Sequence, residues 1–326
     1  MAKISVIIPV YNAEKYIKKS LTSLMTQTLD DIEFIIINDG STDSSMKIIE
    51  EVINNYPERK SNTILVNREN KGVSATRSEG LALSNGEYII HADGDDWVES
   101  NMLESLYLEA ISSLSDIIIC DYYINSEEIQ LYVTQEIGST NLECIKKILL
   151  GELHGSSWNK LIKRSLISEN NIDYIENIDY LEDVVFNIKS LYYAKSISHL
   201  KKALYHYNKS NNNSITSFIN DIKIDHVSEA ISLVSDFLSS KKLNNIKENE
   251  LNIFKLNQKS WFILSNRKSV SKKILNLYPE SNSKILKTKH KIHMKLILIS
   301  SGYKLHYLAQ ILLKILNFMY FILKGK

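Results

Sequence analysis

Four short stretches decide the fold: Ile4-Ser5-Val6-Ile7-Ile8-Pro9-Val10; Glu33-Phe34-Ile35-Ile36-Ile37-Asn38 running into Asp39-Gly40-Ser41; Ile64-Leu65-Val66; and Tyr88-Ile89-Ile90-His91-Ala92 running into Asp93-Gly94-Asp95-Asp96. The runs are mostly apolar and rich in β-branched residues, the pattern of strands buried on both faces. Between them apolar residues fall at helical spacing. Tyr16, Ile17, Leu21, Leu24 and Met25 do so within 13–26, and 44–56 and 73–84 also read as helices, the last closed by Asn85-Gly86. Strand alternating with helix four times predicts a mainly parallel sheet flanked by helices. Such sheets bind ligands at the carboxyl ends of their strands. Tyr11-Asn12, Asp39 to Ser41, Asn67 to Gly72 and Asp93 to Asp96 all follow strands, so they are expected to converge on one edge.

Farther along, 98–112, 141–150 and 180–194 read as helices and 116–120 as a strand, with Asp179 a candidate cap. Beyond about residue 220 strand alternation stops and the pattern turns helical. This predicts an α/β domain over 1–218 and a mostly helical C-terminal extension over 219–326. With 44% hydrophobic and 24% charged residues, the 326-residue chain is globular in composition rather than disordered. Its two cysteines, Cys120 and Cys144, exclude a disulfide framework and a Cys-rich zinc module, and fit a reducing compartment such as the cytoplasm. The opening run is too short for a signal peptide, and no window of about 18 residues is free of charge, so a membrane-spanning helix is not expected.

The net charge of +1 hides a split. Residues 241–326 hold 18 Lys or Arg against three acids, whereas residues 1–240 hold 21 against 35. Read as a helix, residues 303–324 gather His306, Gln310, Lys314, Asn317 and Lys324 into an arc of roughly 80°, and nearly all the rest is apolar. Lys284, Lys287, Lys289, Lys291 and Lys295 precede it. Basic residues beside a broad apolar face predict a tail, 285–326, lying on an anionic membrane surface at the inner face of the cell membrane. Packing on the catalytic domain and a homodimer face are the rival readings. No nucleic-acid module accompanies the basic segment, so nucleic acid is not an expected partner.

The chemistry concentrates in Asp93-Gly94-Asp95-Asp96. Carboxylates one residue apart across a glycine can share a divalent cation, Mn²⁺ or Mg²⁺, and a ribose. Alone, the group reads equally as an acidic turn. Its company is more specific. Ile4 to Glu14, Ile37-Asn38-Asp39-Gly40-Ser41-Thr42-Asp43, Asn70-Lys71-Gly72-Val73-Ser74-Ala75-Thr76-Arg77, and Gly86-Glu87-Tyr88-Ile89 leading to Asp93-Gly94-Asp95-Asp96-Trp97 together resemble the family 2 glycosyltransferases of the GT-A fold. The order and spacing match over about the first 100 residues.

That resemblance implies an inverting, metal-dependent glycosyltransferase using a nucleotide-sugar donor, UDP-linked, and a glycan acceptor, lipid-linked, for a bacterial surface polysaccharide. Pro9, Val10 and Tyr11 would line the nucleobase pocket, and Asp39 would accept from the uracil N3–H. Asn70 and Arg77 would sit near the base or diphosphate, Asp93 at the ribose and Asp95 on the metal. Leu181-Glu182-Asp183-Val184-Val185-Phe186 resembles the family's catalytic-base helix, with Asp183 as base and Glu182 beside it on the acceptor side. Trp158-Asn159-Lys160 resembles an acceptor-side segment. Tyr205-His206-Tyr207-Asn208-Lys209 through Ser214 resembles the loop over the diphosphate, with Lys209 as a donor-binding cation and His206 a candidate metal ligand. The plainer readings are a turn-forming Asp39, a surface Arg77, a core Trp158 and helix-initiating acids at 182–183.

The chain departs from the family pattern at His91-Ala92, at Ser78, and at Asn208-Lys209, where Arg is usual. Two other functions were open. A nucleotide-sugar pyrophosphorylase would need a Gly-rich, Arg-containing loop after Val10, which is absent. A non-catalytic nucleotide-sugar-binding scaffold would be favoured by loss of Asp95 or Asp183, and both are present.

Overall fold

The structure, a computed structural model, describes residues 2–211, 220–266 and 270–324, with the backbone alone for 319–324. Its contacts define two compact units, one of residues 1–148, 152–213 and 226–230, the other of 149–151, 214–225 and 231–326. The boundary expected at 218/219 falls among residues outside the described ones.

The first unit runs β1 (Ile4–Val10), α1 (Ile17–Met25), β2 (Ile32–Asp39), α2 (Ser45–Asn55), the single turn α3 (Pro57–Lys60), β3 (Thr63–Arg68), α4 (Val73–Leu83), β4 (Tyr88–His91), β5 (Trp97–Val98), α5 (Met102–Ser113), β6 (Ile117–Asn125), β7 (Gln130–Val133), α6 (Asn141–Leu150), β8 (Lys160–Lys163), α7 (Arg164–Glu169), α8 (Glu182–Tyr193) and β9 (Ile197–Asn208). The sheet order is β3-β2-β1-β4-β8-β6-β9-β5, with β7 beside β6. β3, β2, β1 and β4 are parallel, as the sequence pattern requires. The second half is mixed. β8 is antiparallel to β4 and β6, β9 is parallel to β6, and β5 is antiparallel to β9. The sheet is thus less parallel than expected.

β1 sits at the centre of the parallel half, and Ile4, Val6, Ile7 and Ile8 are wholly buried. Removing each such side chain from water contributes about 1.5–3 kcal/mol. β1 pairs with β2 along its whole length, Ile4 to Val10 against Ile32 to Asn38, but with β4 only from Ile4 to Ile7. β1 therefore outruns β4. The chain leaving β4 donates from Ala92 N–H to the Ile7 carbonyl and turns into Asp93 alongside Ile8 to Val10. At the opposite edge, buried Arg59 donates to the carbonyls of Met25, Gln27, Leu29 and Asp30, which sets the entry into β2.

The second unit carries most of α9 (Asp221–Ser240), then α10 (Asn244–Ile246), a π-helical turn at Lys247–Leu251, α11 (Asn252–Ser265), α12 (Lys272–Leu275), a 3₁₀ stretch at Pro279–Lys287, α13 (Ile292–Gly302) and α14 (His306–Lys324). Asn220 caps α9 by accepting from Lys223 N–H at 2.9 Å. Leu251, Leu256, Phe262, Ile263, Leu275, Ile297 and Leu298 form its buried interior. No helix among the described residues is long and apolar enough to cross a membrane.

α4 lies so close on β1 that a Cβ at Gly80 would stand 2.3 Å from Ile7 Cγ2. Gly80→Ala should therefore destabilise the chain by about 1–3 kcal/mol, the usual cost of overpacking a tight core. A lowered urea midpoint at unchanged slope checks this.

Candidate active site

The polar ends of the first four strands are knitted together at the carboxyl edge. Asn12, in a left-handed conformation at φ 46°, donates from its N–H to Ser41 Oγ and accepts from Thr42 N–H on Oδ1. Gly40, at φ 72°, lies under the Asn70 backbone, where a Cβ would meet Asn70 N at 2.6 Å. Asp39 closes β2. It is buried, and its carboxylate accepts from the Arg68 guanidinium, from Lys71 N–H at 2.9 Å and from Gly72 N–H at 3.0 Å, while its carbonyl accepts from the Asn70 amide at 2.9 Å. Asp39 thus folds the loop that leads into α4. The contact expected of it to a uracil ring would be made by a carboxylate already holding three hydrogen bonds. Val10 is buried, Pro9 half-buried, and Tyr11 and Asn70 are exposed at the rim.

Arg77, near the start of α4, is the hub. Its side chain is buried, and one guanidinium serves three carboxylates. Nη2 donates to Asp93 Oδ1 at 2.8 Å, and Nη1 donates to Asp183 Oδ1 at 2.9 Å and to Glu182 Oε1. Its Nε is buried with no hydrogen-bond partner among the described residues. A single cation cannot neutralise three half-buried acids. Burial, with Asp183 and Asp95 adding repulsion against the pull of Arg77, pushes the Asp93 carboxyl up to about 6. Burial and Asp183 together push Glu182 up to about 8 despite Arg77.

Glu182 and Asp183 stand in the first turn of α8, after Leu181 at φ 61°, a left-handed conformation costly for a branched side chain. Asp183 Oδ1 also accepts from Ser157 Oγ at 3.0 Å, with the Tyr174 hydroxyl at 3.5 Å. Among the described residues no donor reaches Asp183 Oδ2. The Tyr174 hydroxyl pairs with Ser157 Oγ at 2.9 Å and His91 Nε2 at 3.2 Å, and its ring stacks on Phe186 with centroids 4.4 Å apart. Burial drives His91 well below its ordinary value, so the imidazole is neutral. Sequence reading missed Ser157 and Tyr174, which carry no motif. His91 stood out only as a polar residue where an apolar one was expected.

Asp93 and Asp95 fit a hard cation. Among the described residues no group of three or more His, Cys, Asp or Glu side chains is placed to hold a metal. Mg²⁺ or Mn²⁺ on one or two carboxylates, completed by diphosphate oxygens, needs no such group. Burial raises Asp95 as it does Asp93, so a positive ion beside them would relieve an unfavourable charge. Asp95 Oδ2 accepts from the Asn211 amide at 2.8 Å. Asp96 is structural. It is buried and accepts from Tyr205 O–H and Asn208 N–H, each at 2.7 Å, pinning the turn to β9.

Several expected contacts lie elsewhere. His206 is not on a loop but within β9, stacked between Trp97 and Tyr123, with Nε2 facing Glu99 at 2.8 Å and Nδ1 facing the Asn125 amide at 3.3 Å. Both ring nitrogens are engaged, which leaves no lone pair for a metal. Trp158, Asn159 and Lys160 do not face an acceptor. Trp158 stacks on Tyr205 in the core, and the Asn159 amide donates to the Cys120 carbonyl. Lys160 Nζ is enclosed by the His154 and Ser156 carbonyls and Asn159 Oδ1 at 2.6–2.8 Å. Burial lowers the Lys160 ammonium to about 7, with Asp183 opposing. Lys209 is exposed just past β9, and Ser214 lies outside the described residues.

A family model for glycosyl transferase family 2 matches residues 5–170. The chain is 35% identical over 211 residues to the putative glycosyltransferase EpsH of Bacillus subtilis, covering 63% of this chain and 60% of that protein. It is 38% identical over 184 residues to the cholesterol galactosyltransferase of Borreliella burgdorferi, covering 52% and 50%. The chain thus spans half to three fifths of these two relatives. Among solved structures, S. aureus TarS 1–349 in complex with UDP-GlcNAc superposes with a TM-score of 0.72 at 21% identity, over 93% of this chain and 88% of that one, which shows a common fold. The chain belongs to glycosyl transferase family 2, and its fold is of the GT-A type.

The proton held by Glu182 has a consequence for stability. Unfolded, the carboxyl ionises near 4.5; folded, it holds its proton to about 8. Its contribution to stability therefore falls as pH rises between those values. Glu182→Gln keeps an acceptor for Arg77 but loses that charge. It should be more stable than the parent at pH 8 by about 4 kcal/mol, the difference vanishing toward pH 4.5. Thermal melts across that range test it.

Proposed function

We propose that this member of glycosyl transferase family 2 is an inverting, metal-assisted enzyme. It moves a sugar from a UDP-sugar to a lipid-linked glycan acceptor in the synthesis of a bacterial surface polysaccharide. One observation carries the reading. Asp93 of the strand-end turn and Asp183 of α8, far apart in sequence, are held by the same buried guanidinium of Arg77. A donor-side and an acceptor-side carboxylate in one cluster are what a direct displacement at an anomeric carbon requires. The UDP-GlcNAc complex of TarS supports a uridine donor, and the galactosyltransferase relative, named for cholesterol, supports an acceptor with a lipid part.

In this mechanism the acceptor hydroxyl gives its proton to Asp183 Oδ2 as its oxygen attacks the anomeric carbon. The bond from that carbon to the diphosphate oxygen breaks on the opposite side, so configuration inverts. Arg77, Ser157 and Tyr174 all approach Asp183 Oδ1, which orients Oδ2 as the basic atom. Mn²⁺ or Mg²⁺ held by Asp95, with Asp93 beside it, would neutralise charge on the departing diphosphate. Exposed Lys209 offers a further cation to the diphosphate, without the bidentate fork of an arginine.

Turnover is measured as UDP release from a panel of UDP-sugars with Mn²⁺. Asp183→Asn should lower it by about a hundredfold or more while UDP binding persists, because an amide cannot take the proton. Activity retained in Asp183→Asn but lost in Glu182→Gln would move the base to the neighbour. Asp95→Ala should abolish turnover with the fold intact, and full turnover after chelation would refute the metal's part. Tyr174→Phe should lower turnover about tenfold and leave the Michaelis constant for the donor unchanged, as expected of a residue that only orients the base.

A further inference from the structure

The structure separates two faces of α14. Ala309, Leu313 and Leu316 are buried at helical spacing, while Tyr307, Ile311, Ile315 and Phe318 repeat on the opposite side and are exposed, Tyr307 by 80% and Phe318 by 65%. α13, which packs against α14, repeats the arrangement. Met294, Ile297 and Leu298 are buried, while Ile292 and Leu296 are exposed, Ile292 by 70%, as is Tyr303 just past the helix end. At about 100° per residue, Lys295 flanks the α13 stripe and Lys314 the α14 stripe. Two adjacent helices that each bury one apolar side and present another offer a candidate docking surface.

Charge identifies what covers it. From Ser281 to Lys326 the chain has nine lysines and neither Asp nor Glu. A second copy meeting this face would bring like charges together with no acid to offset them. An anionic lipid surface supplies the missing negative charge and an apolar layer at once. Neither helix is suited to crossing that layer, so the fitting geometry is in the plane of the interface.

We propose that the exposed face of α13 and α14 docks on an anionic lipid bilayer, with the apolar stripes in the headgroup–acyl boundary and the lysines against lipid phosphates. This stands independently of the sugar-transfer reading, because it needs no donor or acceptor.

The test is flotation of the full-length chain with vesicles of phosphatidylcholine containing phosphatidylglycerol, and with phosphatidylcholine alone. Binding to the anionic vesicles should be about tenfold or more stronger and should weaken as salt is raised. Ile311→Ser combined with Ile315→Ser and Phe318→Ser should reduce it by about tenfold or more, with an unchanged circular dichroism spectrum, since these side chains face solvent. Lys287→Gln with Lys291→Gln and Lys304→Gln leaves the apolar stripes intact and should weaken binding to the anionic vesicles alone. Failure of the parent chain to float at low salt would overturn the proposal. So would a folded serine variant that still binds vesicles fully, including one in which a parent dimer has become a monomer.

Discussion

One buried guanidinium holds three carboxylates, and the carboxyl edge of the sheet is arranged around that imbalance. Arg77 alone cannot satisfy Asp93, Glu182 and Asp183 as anions, so two of the three are driven to hold protons above their ordinary range. Such a cluster is costly by itself. It persists because hydroxyl donors reinforce the one cation, and a site of the proposed kind, which would receive a cation and a diphosphate, need not be neutral beforehand. The raised carboxyl at the proposed donor end and the fixed carboxylate at the proposed acceptor end are two results of a single placement.

That placement depends on where α4 begins. Asp39 takes the Gly72 N–H, and Asp179 takes the Ser74 N–H at 3.0 Å, so carboxylates from two distant segments hold the first turn of the helix that bears Arg77. Negative groups are well suited to a helix N-terminus, where backbone N–H groups lack partners. On the far side of the turn, Asp96 fastens the Asp93–Asp95 segment to β9 through Tyr205 and Asn208. The acids nearest the proposed chemistry are thus held by other acids, whose role is mechanical.

The parallel half was legible because strands buried on both faces leave continuous apolar runs, and their helices keep a clear period. Of the mixed half only the start of β6, expected at 116–120, was legible. β8 starts at a lysine, and β9 carries Lys201 and Lys202 in its middle, so neither reads as a strand. Lys160 misleads most. A lysine ordinarily signals solvent, yet three oxygens enclose this one in the core. Trp158 and His206 have side chains apt for a sugar or a metal, and aromatic neighbours occupy them instead. Asp93, Asp95 and Asp183 were singled out by motif, but that Asp93 and Asp183 share one arginine is a property of folding that no spacing encodes.

The junction of Gly72 with Asp179 bears on how such enzymes could be recombined. A Cβ at Gly72 would stand 2.5 Å from the Asp179 carboxylate, and Gly72 itself is at φ 89°. The segment leading into α8 and the loop leading into α4 are therefore cut to fit each other. A chimera that imports residues 171–181 from a relative inherits whatever its own residue 179 does to the start of α4. Unless that position remains a short acid, the transplanted segment also disturbs the helix that carries Arg77. The two segments exchange as a matched pair, not as independent cassettes.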